Sequence, residues 1–121
     1  MTDNAISREL EGSLEVLASS AERQRTYLTQ MGFVSSVDEL ALEFHDVVLK
    51  VPGAVASGIL TEKHAAAVRQ IDDLLHSFGG QQNAALWTMD QLDVAWQWSE
   101  VRRLATTALQ LLRDTSDQRT R

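Results

Sequence analysis

The apolar residues of this chain recur at three-, four- and seven-residue steps, and no apolar–polar alternation extends beyond four residues. A strand shows a period of about two and a helix one of about 3.6, so the spacing points to an all-α fold. Ile6, Leu10, Leu14, Leu17, Ala21, Leu28 and Met31 fall within an arc of about 100° on a helical wheel. That arc predicts one long amphipathic helix over residues 4–31, with Ser19 and Ser20 as soft points and Gly32 as its stop.

The second helix is expected over 37–50. It opens on a capping-box pattern, Ser36 with Glu39, and buries Val37, Leu40, Phe44, Val47, Val48 and Val51. Pro52 and Gly53 should end it. The small apolar run from Gly53 to Leu60 reads as a packed loop or an extended crossing. Thr61 is the next N-cap, with Glu62 in the first turn. A third helix over 62–78 then buries Ala65, Val68, Ile71, Leu75 and Phe78, and Gly79-Gly80 closes it. Gln81, Gln82 and Asn83 read as a polar loop. The stripe of Met89, Leu92 and Trp96 does not align with that of Trp98, Val101, Leu104, Ala105, Ala108 and Leu112. Hence a short helix is expected near 89–94, a break near Trp96, a final helix over 97–113 and a frayed polar tail over 114–121. Together these make one compact bundle of four main helices and a short one, a single domain over 1–121.

With 121 residues the chain suits one hydrophobic core. It has no cysteine, which excludes disulfides, thiolate metal sites and a cysteine nucleophile. No run approaches the roughly 18 apolar residues of a membrane span, and Met1-Thr2-Asp3-Asn4 opens no basic-then-apolar leader. The expectation is a soluble cytoplasmic domain with no membrane contact. Of 17 acids and 11 bases, residues 37–93 hold nine and three, which is the whole net charge of −6. Nucleic-acid binding draws on Lys and Arg, so the sign argues against it. A basic protein surface is the better partner for such a segment.

Catalytic patterns are lacking. No metalloprotease or di-iron spacing, phosphate-binding glycine loop or nucleophile elbow occurs, so neither an enzyme nor a metal or other cofactor is expected. His64 lies within the third apolar arc and reads as a hydrogen-bonded core histidine. His45 lies off the second stripe. His76 follows Asp72 by four and Asp73 by three, a pair able to orient a general base or hold a metal weakly; local ion pairing is its commoner use.

Glu39, Glu43, Asp46 and Lys50 share one face of the second helix, and Glu62, Arg69, Asp73 and His76 one face of the third, with Asp72 beside it. If both faces point outward they form an acidic ridge fit to engage arginines or lysines. Trp87, Trp96 and Trp98 cluster around the last break; most such residues anchor cores, and Trp87 is the candidate for a surface anchor.

Asn83, Ala84, Ala85, Leu86, Trp87 and Thr88, followed by Leu92, Trp96, Arg102, Ala105, Leu109 and Leu112, resemble the C-terminal part of small helical bacterial immunity proteins. These accompany polymorphic or contact-dependent growth-inhibition toxins. Leu40, Phe44, Val47, Val48, Leu49, Val51 and Pro52 are similar in style, as are Gly58, Ile59, Leu60, Thr61, Ile71, Asp72 and Leu75, so the likeness spans residues 36–113. It implies a protein without catalysis that binds a cognate toxin domain, often a basic nuclease, and blocks it. The expected contact residues are Glu39, Glu43, Asp46, Asp72, Asp73 and Trp87. Two other classes fit the same residues: a helical adaptor, secretion chaperone or self-associating bundle, and a small enzyme or metal protein built on His76.

Overall fold

The computed structural model describes residues 5–32 and 37–119, with side chains through residue 114. Among these residues the chain is all-helical, as its spacing predicts, without a strand. In order come α1 (Ala5–Ala18), α2 (Ala21–Gln30), α3 (Asp38–Val48), α4 (Val51–Ala56), α5 (Glu62–Ser77), 3-10 helices at Gln81–Leu86 and Met89–Leu92, and α6 (Trp96–Arg119). α1 and α5 each pack on both α3 and α6, so the four longer elements close around one core. Phe44, Ile71, Trp98, Leu10 and Leu14 are fully buried there.

The single helix expected over 4–31 is two helices. At the break the Ser19 hydroxyl donates to the Val16 carbonyl (2.7 Å), and Ser20 turns extended and accepts the Arg23 amide (3.2 Å) as an N-cap. Gln24 closes the junction. It is 0% exposed, and its Nε2 donates to the carbonyls of Val16 and Leu17, each at 3.1 Å. These carbonyls lie in the last turn of α1, where the helix's own ladder runs out. The core face keeps its bearing across the junction, since Leu10, Leu14, Leu17, Ala21 and Leu28 are all buried. Periodicity alone therefore reads the two helices as one. Met31, counted in that stripe, is exposed. Gly32 sits at φ +82° just past α2, the left-handed position that glycine occupies without strain.

Ser36 lies outside the described residues; Val37 stands at the N-cap of α3 with no side-chain cap bond. Pro52 does not end helical structure but opens it. It stands in the first turn of α4, where its missing N–H costs nothing because no carbonyl of that helix lies four residues before it. The run read as a loop or crossing is thus a short helix. It ends in a Schellman motif: Gly58, at φ +82°, bonds its amide to the Val55 carbonyl (3.0 Å), and Ile59 bonds to that of Ala54 (2.9 Å). Thr61 caps α5 as expected, but its reciprocal partner is His64. The His64 amide reaches the Thr61 hydroxyl (3.2 Å), and the Thr61 amide donates to His64 Nδ1 (3.1 Å). His64 is accordingly a buried, hydrogen-bonded histidine, filling the role glutamate usually takes in such a box.

The polar segment after Gly80 and the short helix near 89–94 are both 3-10 turns. α6 begins at Trp96 and runs on through Arg119, so the helical backbone takes in most of the segment read as a tail; residues 120–121 lie outside the described residues. Arg102 joins these parts: its Nη1 donates to the Leu92 carbonyl (2.6 Å) and lies 3.5 Å from Gln24 Oε1. Burial holds its guanidinium below the usual arginine range, while Asp93 opposes the shift.

Candidate functional site

On a helical wheel Asp38, Leu42, His45, Asp46 and Leu49 share an arc of about 100° on α3, on the side away from buried Leu40, Phe44 and Val47. Leu42 is 55% and Leu49 66% exposed. Glu39, Glu43 and Lys50 fall to one flank, toward α1 and α2. There Tyr27 donates its hydroxyl to the Glu43 carboxylate, 2.9 and 2.7 Å from its two oxygens. Burial first, and the Glu43 carboxylate second, push the Tyr27 phenol up to about 12. Lys50 Nζ meets Glu9 of α1 at 2.8 Å.

The structure therefore divides the expected acidic ridge. Asp46 and Asp73 are exposed and Glu39 is half-buried. Glu43 is tied to Tyr27, and Asp72 is buried among side chains of its own chain. The divided acids leave a mixed acidic and apolar face on α3, and this face borders a groove.

Ala41 and Leu42 of α3 form one wall of the groove; Gly79, Gly80 and Trp87 form the other. Trp87 is held in place rather than loose. Its Nε1 donates to the Phe78 carbonyl (2.7 Å), its ring stacks on Phe78 at 5.0 Å, and it meets Trp98 edge-on at 5.1 Å. Trp98 is the core member, with Nε1 bonded to the Leu86 carbonyl (2.8 Å). Trp96, expected on a buried stripe with Leu92, is instead 68% exposed. It begins α6, and only the arc through Trp98, Val101 and Ala105 faces inward.

At one end of the groove stand His45, Asp72 and His76. His45 Nδ1 lies 3.3 Å from Asp72 Oδ1; His76 Nδ1 lies 3.6 Å from Asp72 Oδ2 and 2.8 Å from the Asp72 backbone carbonyl. The two imidazoles meet edge to face, centroids 5.3 Å apart. The sequence paired His76 with Asp72 or Asp73, and the fold selects Asp72. It also brings in His45, from another helix 27 residues away, which no local spacing announces. Leu42 and Leu49 did carry a signal, as leucines seven apart lying off the buried arc.

No protein-family model, no curated protein and no solved structure matches this chain. Among the described residues no helix is long and apolar enough to cross a membrane.

Proposed function

We propose that this chain is a non-catalytic binding protein of the bacterial cytoplasm, the immunity partner of a polymorphic or contact-dependent growth-inhibition toxin. The observation that carries the binding reading is the outer face of α3, where Leu42 and Leu49 are exposed among Asp38 and Asp46 beside the Trp87 groove. Apolar anchors within a ring of charge are the composition of a protein-recognition patch. The partner's sign follows from the net −6 held by residues 37–93; the toxin class follows from the resemblance over residues 36–113.

In this reading Glu39, Asp46 and Asp73 steer a basic toxin surface toward the chain, so that encounter is fast. Leu42 and Trp87 then set specificity. Glu43 and Asp72 act from behind, holding Tyr27 and the two histidines, and do not meet the toxin first.

The test begins with the open reading frame upstream of this one. Its C-terminal domain should be toxic when expressed alone and harmless when co-expressed with this chain. Association of the purified pair, followed by stopped flow, should slow at least about tenfold between 0.1 and 1 M salt, as the screening length falls from about 10 to 3 Å. Leu42→Asp should speed dissociation by about tenfold or more, the effect of losing one anchor. Toxicity that co-expression does not relieve sinks the immunity role. An association rate indifferent to salt sinks the acidic face. A stable oligomer of the chain alone that buries Leu42 favours the self-associating bundle instead.

A further inference from the structure

We propose that His45, Asp72 and His76 bind one divalent transition-metal ion of the zinc class, with a fourth coordination position open to the groove. The proposal is independent of the toxin reading, because it concerns the free chain.

The donor set is the first argument. Two imidazoles and one carboxylate suit zinc and its neighbours in the first transition row, whereas calcium and magnesium seek oxygen. Three protein ligands with a vacant fourth position is the pattern of an open zinc site rather than a closed structural one.

Geometry is the second. In a tetrahedron with bonds of about 2.0–2.1 Å, neighbouring donors stand about 3.3 Å apart. His45 Nδ1 and Asp72 Oδ1 are 3.3 Å apart. An ion bound to a ring nitrogen at that bond length lies roughly 3.2 Å from the ring centre, so two rings at the tetrahedral angle stand about 5.2 Å apart. Those of His45 and His76 are 5.3 Å apart. One donor atom from each of the three residues can be chosen so that all lie within 4.8 Å of one another.

The surroundings support the site as well. Asp72 is buried on α5, and its carboxylate oxygens point to the two rings, so the central ligand is already in place. His76 Nδ1 stands 2.8 Å from the Asp72 backbone carbonyl. When that nitrogen carries the proton, the carbonyl accepts it and Nε2 is left with its lone pair for the ion; a backbone carbonyl on the far nitrogen is the common outer partner of a metal-bound histidine. An ion here would staple α3 to α5, and its open position would accept water or a donor atom from whatever occupies the groove.

The test uses the full chain prepared without a histidine tag, stripped with chelator and titrated with zinc chloride by calorimetry. A parallel titration with cobalt(II) is followed by visible absorption. One ion per chain with micromolar or tighter affinity is expected, together with a rise in Tm on adding zinc. His45→Ala, His76→Ala and Asp72→Asn should each weaken binding at least about tenfold, by analogy with losses seen even for outer-shell partners. Glu22→Gln, at an exposed carboxylate in the first turn of α2, should leave it unchanged. His76→Ala changes the most exposed of the three and serves if Asp72→Asn does not fold. Affinity weaker than about 1 mM, or zinc binding that survives both histidine substitutions, overturns the site and leaves an ordinary aspartate–histidine ion pair.

Discussion

Replacing Gln24 with leucine removes the side chain that closes the end of α1 while nearly conserving volume, so the cavity contribution is small. The cost lies in two carbonyls. The Leu17 carbonyl loses a buried hydrogen bond at 3.1 Å, and a buried acceptor left without a donor costs about 1–3 kcal/mol. The Val16 carbonyl also loses a bond at 3.1 Å but keeps the Ser19 hydroxyl at 2.7 Å, so its share is about 0.5–1 kcal/mol. Arg102 is little affected, because its short bond goes to the Leu92 carbonyl. Burying a leucine in place of an amide returns up to about 1 kcal/mol. The net expectation is a loss of about 2 kcal/mol, read from urea unfolding at equilibrium, with Tm lower by about 6–10 °C for a domain of this size. Helix content by circular dichroism should hold, since both helices keep their core faces. A loss below about 0.5 kcal/mol, the range of a surface change, would refute the idea that Gln24 sustains the junction.

Three further outcomes follow from particular contacts. The chain has one tyrosine, so phenolate absorbance reports Tyr27 alone; its midpoint should lie near 12 in the folded protein against about 10 for a free phenol. Because the phenol ionises more readily unfolded, its contribution to stability is full below pH ~10 and falls as pH rises toward 12. Glu43→Gln should lower the midpoint while burial keeps it above the free value, and a folded midpoint at the free value would refute the Tyr27–Glu43 contact. Trp98→Ala should cost about 3–5 kcal/mol of unfolding free energy, whereas Trp96→Ala, at an exposed residue, should stay within about 0.5 kcal/mol; equal effects would contradict the burial pattern. Thr61→Ala should cost about 1 kcal/mol by chemical denaturation, the usual loss of an N-cap, and no change would count against the Thr61–His64 box.

Much of the helical framework is legible in the sequence. Thr61 at the start of α5, the buried line from Ala65 to Phe78 and the glycine stop at Gly32 all appear where spacing placed them, and α6 begins at the break expected near Trp96. Ser19 and Ser20 were visible as soft points, but a junction that preserves the core bearing leaves no mark in periodicity. Pro52 marks a boundary without saying which side of it is helical, because the same residue that cannot continue a helix is well suited to begin one. In the candidate site, the acids of α3 were counted correctly but not divided between the flank that meets Tyr27 and the face that meets solvent.

By itself the sequence determined the helical class, the cap at Thr61, the stop at Gly32 and the placing of all the net charge in residues 37–93. These are properties of residues within about four positions of one another, or plain sums, and they need no knowledge of a neighbour. Only the tertiary structure decided that Gln24 would seal a helix end, that Asp72 would be buried between His45 and His76, and that Leu42 would stand exposed beside Trp87. Those facts depend on how each helix is turned about its axis against the next. That rotation is set by packing side chains far apart in the chain around one shared core.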